Sequence, residues 1–106
     1  MDSLIIISTT FEQKEDGARV ARLLLDERLV ACAQLSGPIS SYYHWDDSIA
    51  DSIEFSLSLK TTDSLYTKVE TRIKDIHPYE LPEIISQTVT HVSREYMEWV
   101  KSEVVR

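Results

Sequence analysis

Residues 53–61 read IEFSLSLKT, in which Ile53, Phe55, Leu57 and Leu59 alternate with the polar residues Glu54, Ser56, Ser58 and Lys60. Successive side chains of a β-strand point to opposite faces, so this stretch predicts a strand with one buried and one polar face. Residues 31–45 predict a partner strand, and Asp46, Asp47 and Ser48 predict the turn that joins the two as a hairpin.

The stretches around this hairpin alternate between strand and helix patterns. They are a strand at residues 3–9, a helix at 12–29, a helix at 65–76 capped by Thr62-Asp63-Ser64, a strand at 84–92 and a last helix after Ser93. The order β-α-β-β-α-β-α predicts one α+β domain over residues 1–106. We expect a ferredoxin-like split βαβ fold, with an antiparallel sheet, helices on one face and an added C-terminal helix.

Composition narrows the classes of function. Eleven Lys and Arg stand against eighteen Asp and Glu, giving a net charge of −7, which argues against binding nucleic acid. No apolar run is long enough for a membrane span, and the amino terminus has no secretory-signal pattern. The single cysteine, Cys32, fits a reducing compartment, and we expect a cytoplasmic protein.

The predicted hairpin is too long for one small globule. A strand over residues 31–45 would extend about 50 Å at roughly 3.3 Å per residue, whereas a chain of 106 residues folds to a width of roughly 35 Å. Gly37-Pro38 is a candidate bend, beyond which the aromatic half of the strand would protrude. Exposed strand edges favour pairing with another subunit, so we expect a homo-oligomer.

Two residues are candidate metal ligands. His77 ends a predicted helix before Pro78, where it could bind a metal, or could instead cap the helix or bond a loop carbonyl. Cys32 begins a strand between two alanines and is either a ligand or a small buried hydrophobe. His44 and His91 are expected at the surface.

Other polar residues give weaker signals. Glu80 and Glu83 flank a Leu-Pro pair in a loop, and Lys60 is a candidate partner for Glu54 or for a loop carboxylate. The sequence contains no metal-ligand spacing, glycine-rich phosphate loop or nucleophile motif. We therefore expect no enzymatic activity.

Five motifs occur in a distinctive order over residues 6–100. They are Ala31-Cys32-Ala33, Pro38-Ile39-Ser40-Ser41-Tyr42-Tyr43 with Trp45, Leu59-Lys60-Thr61, His77-Pro78-Tyr79-Glu80 with Pro82-Glu83-Ile84, and Tyr96 with Trp99. This set resembles the CutA (divalent cation tolerance) family, and its most specific segment is H-P-Y-E-x-P-E. The resemblance implies a ferredoxin-like fold, a tight homotrimer built by long paired strands, and copper(II) binding in at least some members.

The sequence departs from the family pattern at four positions. Thr9 stands where some members carry a cysteine, and Ile76 stands where some carry a second histidine. Of the metal-associated positions, His77 and Cys32 therefore carry over. Asp47 replaces a frequent glycine of the hairpin, and Glu12 replaces a frequent proline after the first strand.

Three functions follow from the residues and the resemblance. The first is a trimeric metal-response protein that binds copper or a similar divalent cation, with His77 as first ligand. The second is a small-molecule sensor of the PII type, by analogy of fold, whose ligand lies in a cleft between subunits. The third is a structural trimer without ligand. The sensor's cleft would be lined by Trp45, Glu54, Lys60, Tyr79, Glu80 and Glu83, with Lys60 meeting an anionic group.

Overall fold

The predicted hairpin forms the larger part of the sheet. In the computed structural model, which describes residues 2–105, strand β2 (Cys32–Trp45) pairs antiparallel with strand β3 (Ser48–Thr62). Asp46 and Asp47 form the two-residue turn, with φ of 49° and 61°. Two left-handed residues match the twist of the flanking strands, so pairing begins directly at Ser48. Strand β3 is therefore longer at its start than the alternation at residues 53–61 predicts.

The sheet has the strand order β2-β3-β1-β4, and its neighbouring strands run antiparallel. Strand β1 (Leu4–Phe11) lies between β3 and the short strand β4 (Ile85–Thr88). The helices are α1 (Lys14–Asp26), α2 (Tyr66–Ile76), which follows a 3₁₀ turn at Asp63–Leu65, and α3 (Arg94–Glu103). This topology confirms the α+β, ferredoxin-like split βαβ fold with a C-terminal helix.

Helices α1 and α2 cover one face of the sheet. Leu57 and Leu59 of β3 point to this face and are fully buried, as are Val20 of α1 and Ile73 of α2. Gly17 of α1 lets the helix approach the sheet, since a Cβ atom there would lie 2.8 Å from Leu35 Cδ1 and 3.2 Å from Phe11 Cδ2. The glycine that weakens the helix pattern is therefore a packing residue.

The opposite face of the sheet is polar at its centre and partly covered at one end. Cys32 and Lys60 pair across β2 and β3, and they point away from α1 because they alternate with Ala33 and Leu59. Tyr96 of α3 contacts Cys32, so α3 packs at this end of that face. Within residues 2–105 no helix combines the length and the apolar character that a bilayer crossing requires.

The far ends of β2 and β3 protrude as a two-stranded ribbon, residues 39–53, which we call the arm. The register between the strands shifts between Ser36 and Ile39, where Gly37 adopts φ of 136°. Such a bulge bends a strand, as the Gly37-Pro38 pair predicts. The protomer extends 45 × 26 × 22 Å. The large apolar residues that the arm exposes are Ile39, Tyr42, Tyr43, Trp45, Ile49 and Ile53.

The end of β4 and the cap before α2 also differ from the sequence predictions. Strand β4 ends at Thr88 instead of at residue 92, because Val89 already bonds to Leu4 at the start of β1 and the partner strand ends there. His91 consequently lies, exposed, in the connection to α3. Before α2, the Ser64 amide is capped by the Asp2 carboxylate at 3.0 Å rather than by a side chain of residues 62–64. The Ser93 cap of α3 is confirmed, since its Oγ accepts from the Tyr96 amide.

Candidate functional site

His77 lies at the junction of α2 with the loop of residues 77–83, and both of its ring nitrogens are hydrogen-bonded. Nε2 lies 2.9 Å from the Thr10 carbonyl oxygen and 3.1 Å from Thr9 Oγ1. Nδ1 accepts from the Tyr79 backbone amide at 3.1 Å. A carbonyl oxygen only accepts and an amide N–H only donates, so the ring is the neutral tautomer with its proton on Nε2.

The surroundings of His77 favour the same uncharged form. The side chain is buried, and its ring stacks on Phe11 with centroids 4.3 Å apart and an interplanar angle of 11°. Burial lowers the pKa of His77 below its usual value, and the hydrogen bond to the Thr10 backbone offsets this only in part. Of the interpretations of His77, the geometry is nearest to the bond to a backbone carbonyl, but the carbonyl belongs to Thr10 of strand β1 and not to a loop.

Glu54 is a buried carboxylate held by hydroxyl groups. Its Oε2 accepts a hydrogen bond of 2.7 Å from the Tyr79 hydroxyl, and its side chain is 9% exposed. Burial alone would raise the pKa of Glu54, but hydrogen bonds from Tyr79, Ser41 and Thr10 outweigh burial and hold the pKa below its usual value. Burial and the neighbouring Glu54 carboxylate raise the pKa of Tyr79. Glu54 is therefore a negative charge that the fold retains beneath the loop.

A pocket of about 900 Å³ opens between the arm and the loop of residues 77–83. Four of its lining residues are carboxylates, namely Glu12, Glu54, Glu80 and Glu83, and the wall also contains the aromatic side chains of Tyr42, Tyr43, His44, Trp45 and Tyr79. Among residues 2–105, no lysine or arginine lines it. Such a surface attracts cations through Coulomb and cation–π interactions and repels anions.

The structure brings together five of the six residues predicted for a ligand cleft. Trp45, Glu54, Tyr79, Glu80 and Glu83 all line the pocket. Lys60 does not: its Nζ donates to Gln34 Oε1 at 2.5 Å, near the opposite end of β3. Its predicted pairing with Glu54 is accordingly wrong, because the strand places the two side chains six residues apart on one face.

The two candidate metal ligands lie on opposite faces of the sheet. Thr9 and Phe11, which contact His77, point to the α1 side of β1, whereas Cys32 points away from it. Within residues 2–105, no group of three or more His, Cys, Asp and Glu side chains is placed to hold a metal ion. The residues of one protomer thus do not fit a metal centre built from His77 and Cys32.

Sequence patterns predicted no contact with Glu54 or His77 for several residues of the site. The hydroxyl groups of Thr10 and Ser41 lower the pKa of Glu54, and Thr9 and Phe11 contact the His77 ring. The alternation of β1 is the signal that places Thr9 on the buried face, but the contact with residue 77 depends on how α2 docks.

The fold and the pocket define a ferredoxin-like protein that carries a protruding two-stranded arm beside an acidic pocket. The family profile described as CutA1 divalent ion tolerance protein matches residues 5–103. The chain belongs to this family.

Comparisons with individual proteins agree with this assignment. The chain is 38% identical over 100 residues to the divalent-cation tolerance protein CutA of Pyrococcus horikoshii, covering 94% of this chain and 97% of that protein. The crystal structure of CutA1 from the same organism superposes with a TM-score of 0.92 at 36% identity, covering 96% of this chain and 99% of that chain. CutA1 from Oryza sativa gives a TM-score of 0.94 at 30% identity, covering 97% and 94%.

Proposed function

We propose that the protein is a divalent cation tolerance protein that acts as a homotrimer and binds copper(II) or a similar divalent cation. Membership of the family and the acidic pocket support this proposal. The observation that carries it is the convergence of Glu12, Glu54, Glu80 and Glu83 on a pocket that no lysine or arginine of residues 2–105 lines. Carboxylate oxygens are ligands for divalent cations, and their summed charge concentrates cations locally.

A neighbouring subunit is expected to complete the cation site. The side chains of residues 2–105 in one protomer do not form a set of three or more ligands. The pocket borders the arm, where Trp45, Ile49 and Ile53 are each more than half exposed. Covering this apolar surface with another copy of the chain would bring additional donors to the pocket.

The test is calorimetric titration of the purified oligomer with copper(II), in physiological salt and with a competing chelator. The informative variant is the double substitution Glu80→Gln and Glu83→Gln, which removes two charges from the pocket wall. Its matched control is Glu95→Gln and Glu98→Gln, which removes two charges from the exposed surface of α3. We expect the pocket variant to weaken binding about tenfold or more, corresponding to at least 1.4 kcal/mol. Equal effects of the two variants would indicate nonspecific attraction to an acidic surface, and absence of binding would contradict the proposal.

The second candidate is a PII-like small-molecule sensor, which the size and aromatic wall of the pocket favour. The sequence predicts an anionic ligand that contacts Lys60. The carboxylates that line the pocket imply a positively charged ligand instead. A thermal-shift screen of organic cations and anions distinguishes the two charges. A cation that raises the unfolding temperature of the wild type and of Lys60→Ala, but not of Trp45→Ala, would favour the sensor. If neither metals nor small molecules bind, the third function, a structural trimer, is favoured.

The proposal assigns a binding role and no catalytic one. We also propose a cytoplasmic location, in keeping with the single cysteine, Cys32, which is free in the structure. Fractionation of the cells that produce the protein tests the location. Recovery from an oxidising compartment would contradict it.

A further inference from the structure

We infer that His77 is not a ligand of the divalent cation in this chain and acts instead as the residue that positions the loop of residues 77–83. The inference refines the proposed function, because it moves the cation site from the imidazole to the wall of the acidic pocket. It is carried by the hydrogen bonds of the ring and by the placement of its neighbours.

Neither ring nitrogen of His77 has a lone pair free for a metal. The Nε2–H bond points to the Thr10 carbonyl oxygen at 2.9 Å, and the Nδ1 lone pair receives the Tyr79 amide at 3.1 Å. Coordination through Nδ1 would leave the part-buried amide of Tyr79 unpaired, and coordination through Nε2 would leave the Thr10 carbonyl unpaired. Each loss is unfavourable, because a polar group removed from water then lacks a partner.

The side chains around His77 add no further ligand. Thr9 Oγ1 lies 3.1 Å from Nε2 and takes part in the hydrogen-bond network. The Phe11 ring covers one side of the imidazole, and Tyr79 lies 4.8 Å away, centroid to centroid, in a tilted arrangement. Cys32 is separated from this cluster by the sheet itself. An ion at the imidazole would thus meet a hydroxyl and two aromatic rings, which is a poor set of ligands for a divalent cation.

The same contacts give His77 a positioning role. Its Nδ1 fixes the amide of Tyr79, and the Tyr79 hydroxyl then reaches Glu54 Oε2 at 2.7 Å. The Tyr79 bond attaches the loop to β3, and the bond from His77 Nε2 to the Thr10 carbonyl attaches it to β1. Glu80 and Glu83 follow directly in the chain and line the pocket. His77 therefore affects the pocket through Tyr79 without contacting its contents.

Nitrogen NMR of the ¹⁵N-histidine-labelled oligomer tests the inference, first without metal and then with Zn²⁺, a diamagnetic probe. We expect a neutral His77 ring with its proton on Nε2, and we expect the same pattern to persist at saturating Zn²⁺. His91, which is exposed and does not line the pocket, serves as the internal comparison. Loss of the Nε2 proton, or a metal-induced shift of either His77 nitrogen larger than that of His91, would overturn the inference.

Two variants separate this inference from the proposed function. His77→Gln removes the imidazole and keeps an amide donor, whereas Glu80→Gln with Glu83→Gln keeps the imidazole and alters the pocket. We expect the number of Zn²⁺ ions bound per chain to be unchanged in the first variant and reduced in the second. Loss of stoichiometric binding in a folded His77→Gln oligomer would overturn the inference. If the wild type binds no metal, the proposed function fails, while the metal-free NMR spectrum still decides the role of His77.

Discussion

At the scale of single residues, the site depends on one buried carboxylate. Glu54 accepts a hydrogen bond from Tyr79 of the loop, and the hydroxyl groups of Ser41 of the arm and Thr10 of β1 help to hold its pKa down. A buried charge is tolerated only where such donors replace water. The carboxylate therefore connects three parts of the chain, and the loss of any one donor is expected to affect both stability and the shape of the pocket.

Replacing Tyr79 with Phe removes one of these donors and leaves the ring volume unchanged. We expect a loss of about 1.5–3 kcal/mol in the free energy of unfolding, the usual range for a hydrogen bond to a charged group. Urea unfolding at a fixed chain concentration measures it. The control is Tyr43→Phe, whose hydroxyl makes an exposed bond of 3.4 Å to Ser52 and whose loss should cost less than about 0.5 kcal/mol. Equal costs for both variants would contradict the assigned role of Glu54.

The pH dependence of stability reports on His77. Its pKa in the folded protein lies below the usual 6.5, so as pH falls the unfolded state takes up the proton first. The contribution of His77 is present in full above pH 6.5 and is lost as pH falls from there towards the folded pKa. We expect the free energy of unfolding to decrease across this window, with a slope of at most about 1.4 kcal/mol per pH unit.

Unfolding curves between pH 8 and pH 5 check this expectation. His77→Gln should be less stable at pH 8 and should lack the decrease below pH 6.5, since glutamine does not titrate. The exposed His44→Gln should retain the decrease. If wild-type stability rises as the pH falls through this window, the conclusion that His77 is buried in its neutral form is wrong. A second decrease at lower pH is expected from Glu54, whose pKa is also held down.

At the scale of elements, the strand patterns predicted the hairpin because alternation is a local property. The start of β3 was missed because residues 48–52 are mostly polar and pair only once Asp46 and Asp47 adopt the left-handed turn. The end of β4 was missed because it depends on where β1 begins, which is a contact between distant residues. The bond from the Ser64 amide to Asp2, in the 3₁₀ turn before α2, has the same origin, since donor and acceptor are 62 residues apart in the sequence.

The bulge that bends β2 is the element most sensitive to substitution. Gly37 has φ of 136°, and a Cβ there would lie 2.9 Å from Phe55 Cδ1 and 3.0 Å from the Glu54 carbonyl oxygen. We expect Gly37→Ala to destabilise the protein by about 1–3 kcal/mol through backbone strain and this contact. Thermal unfolding measures the loss.

The control for this prediction is Gly17→Ala, which places the same methyl group in α1. There the gain in helix propensity, about 1 kcal/mol, opposes a contact of 2.8 Å with Leu35 Cδ1, the far end of a flexible side chain. We expect Gly17→Ala to change stability by less than Gly37→Ala. A larger change in stability for Gly17→Ala than for Gly37→Ala would mean that the bulge relaxes around the added methyl group and does not fix the direction of the arm.

At the scale of the whole molecule, the fold and most of the residues that line the pocket were predictable from the sequence. The positions of the candidate residues relative to one another in the fold were not. The segment of residues 77–83 and the arm carry specific motifs, and both line the pocket. The placement of His77 and Cys32 on opposite faces follows from strand alternation combined with the docking of α2. Lys60 was predicted to line the pocket but does not reach it. A strand is extended, so side chains on the same face that are only a few residues apart in sequence lie far apart in space.

The arm gives the last prediction, which concerns assembly. Ile49 is 74% exposed and Ile53 is 55% exposed, and such an apolar ribbon is expected to be covered by other copies of the chain. Light scattering should therefore give a mass of about three times the 12.2 kDa of the chain. Ile49→Lys with Ile53→Lys should shift this mass towards that of one chain, because buried, unpaired ammonium groups disfavour the interface. Leu25→Lys, on the outer surface of α1, adds a comparable charge and should leave the mass unchanged. A wild-type protein that stays monomeric, or an arm variant that keeps the wild-type mass, would show that the arm does not join the subunits, and the cation site would then have to be completed within one chain.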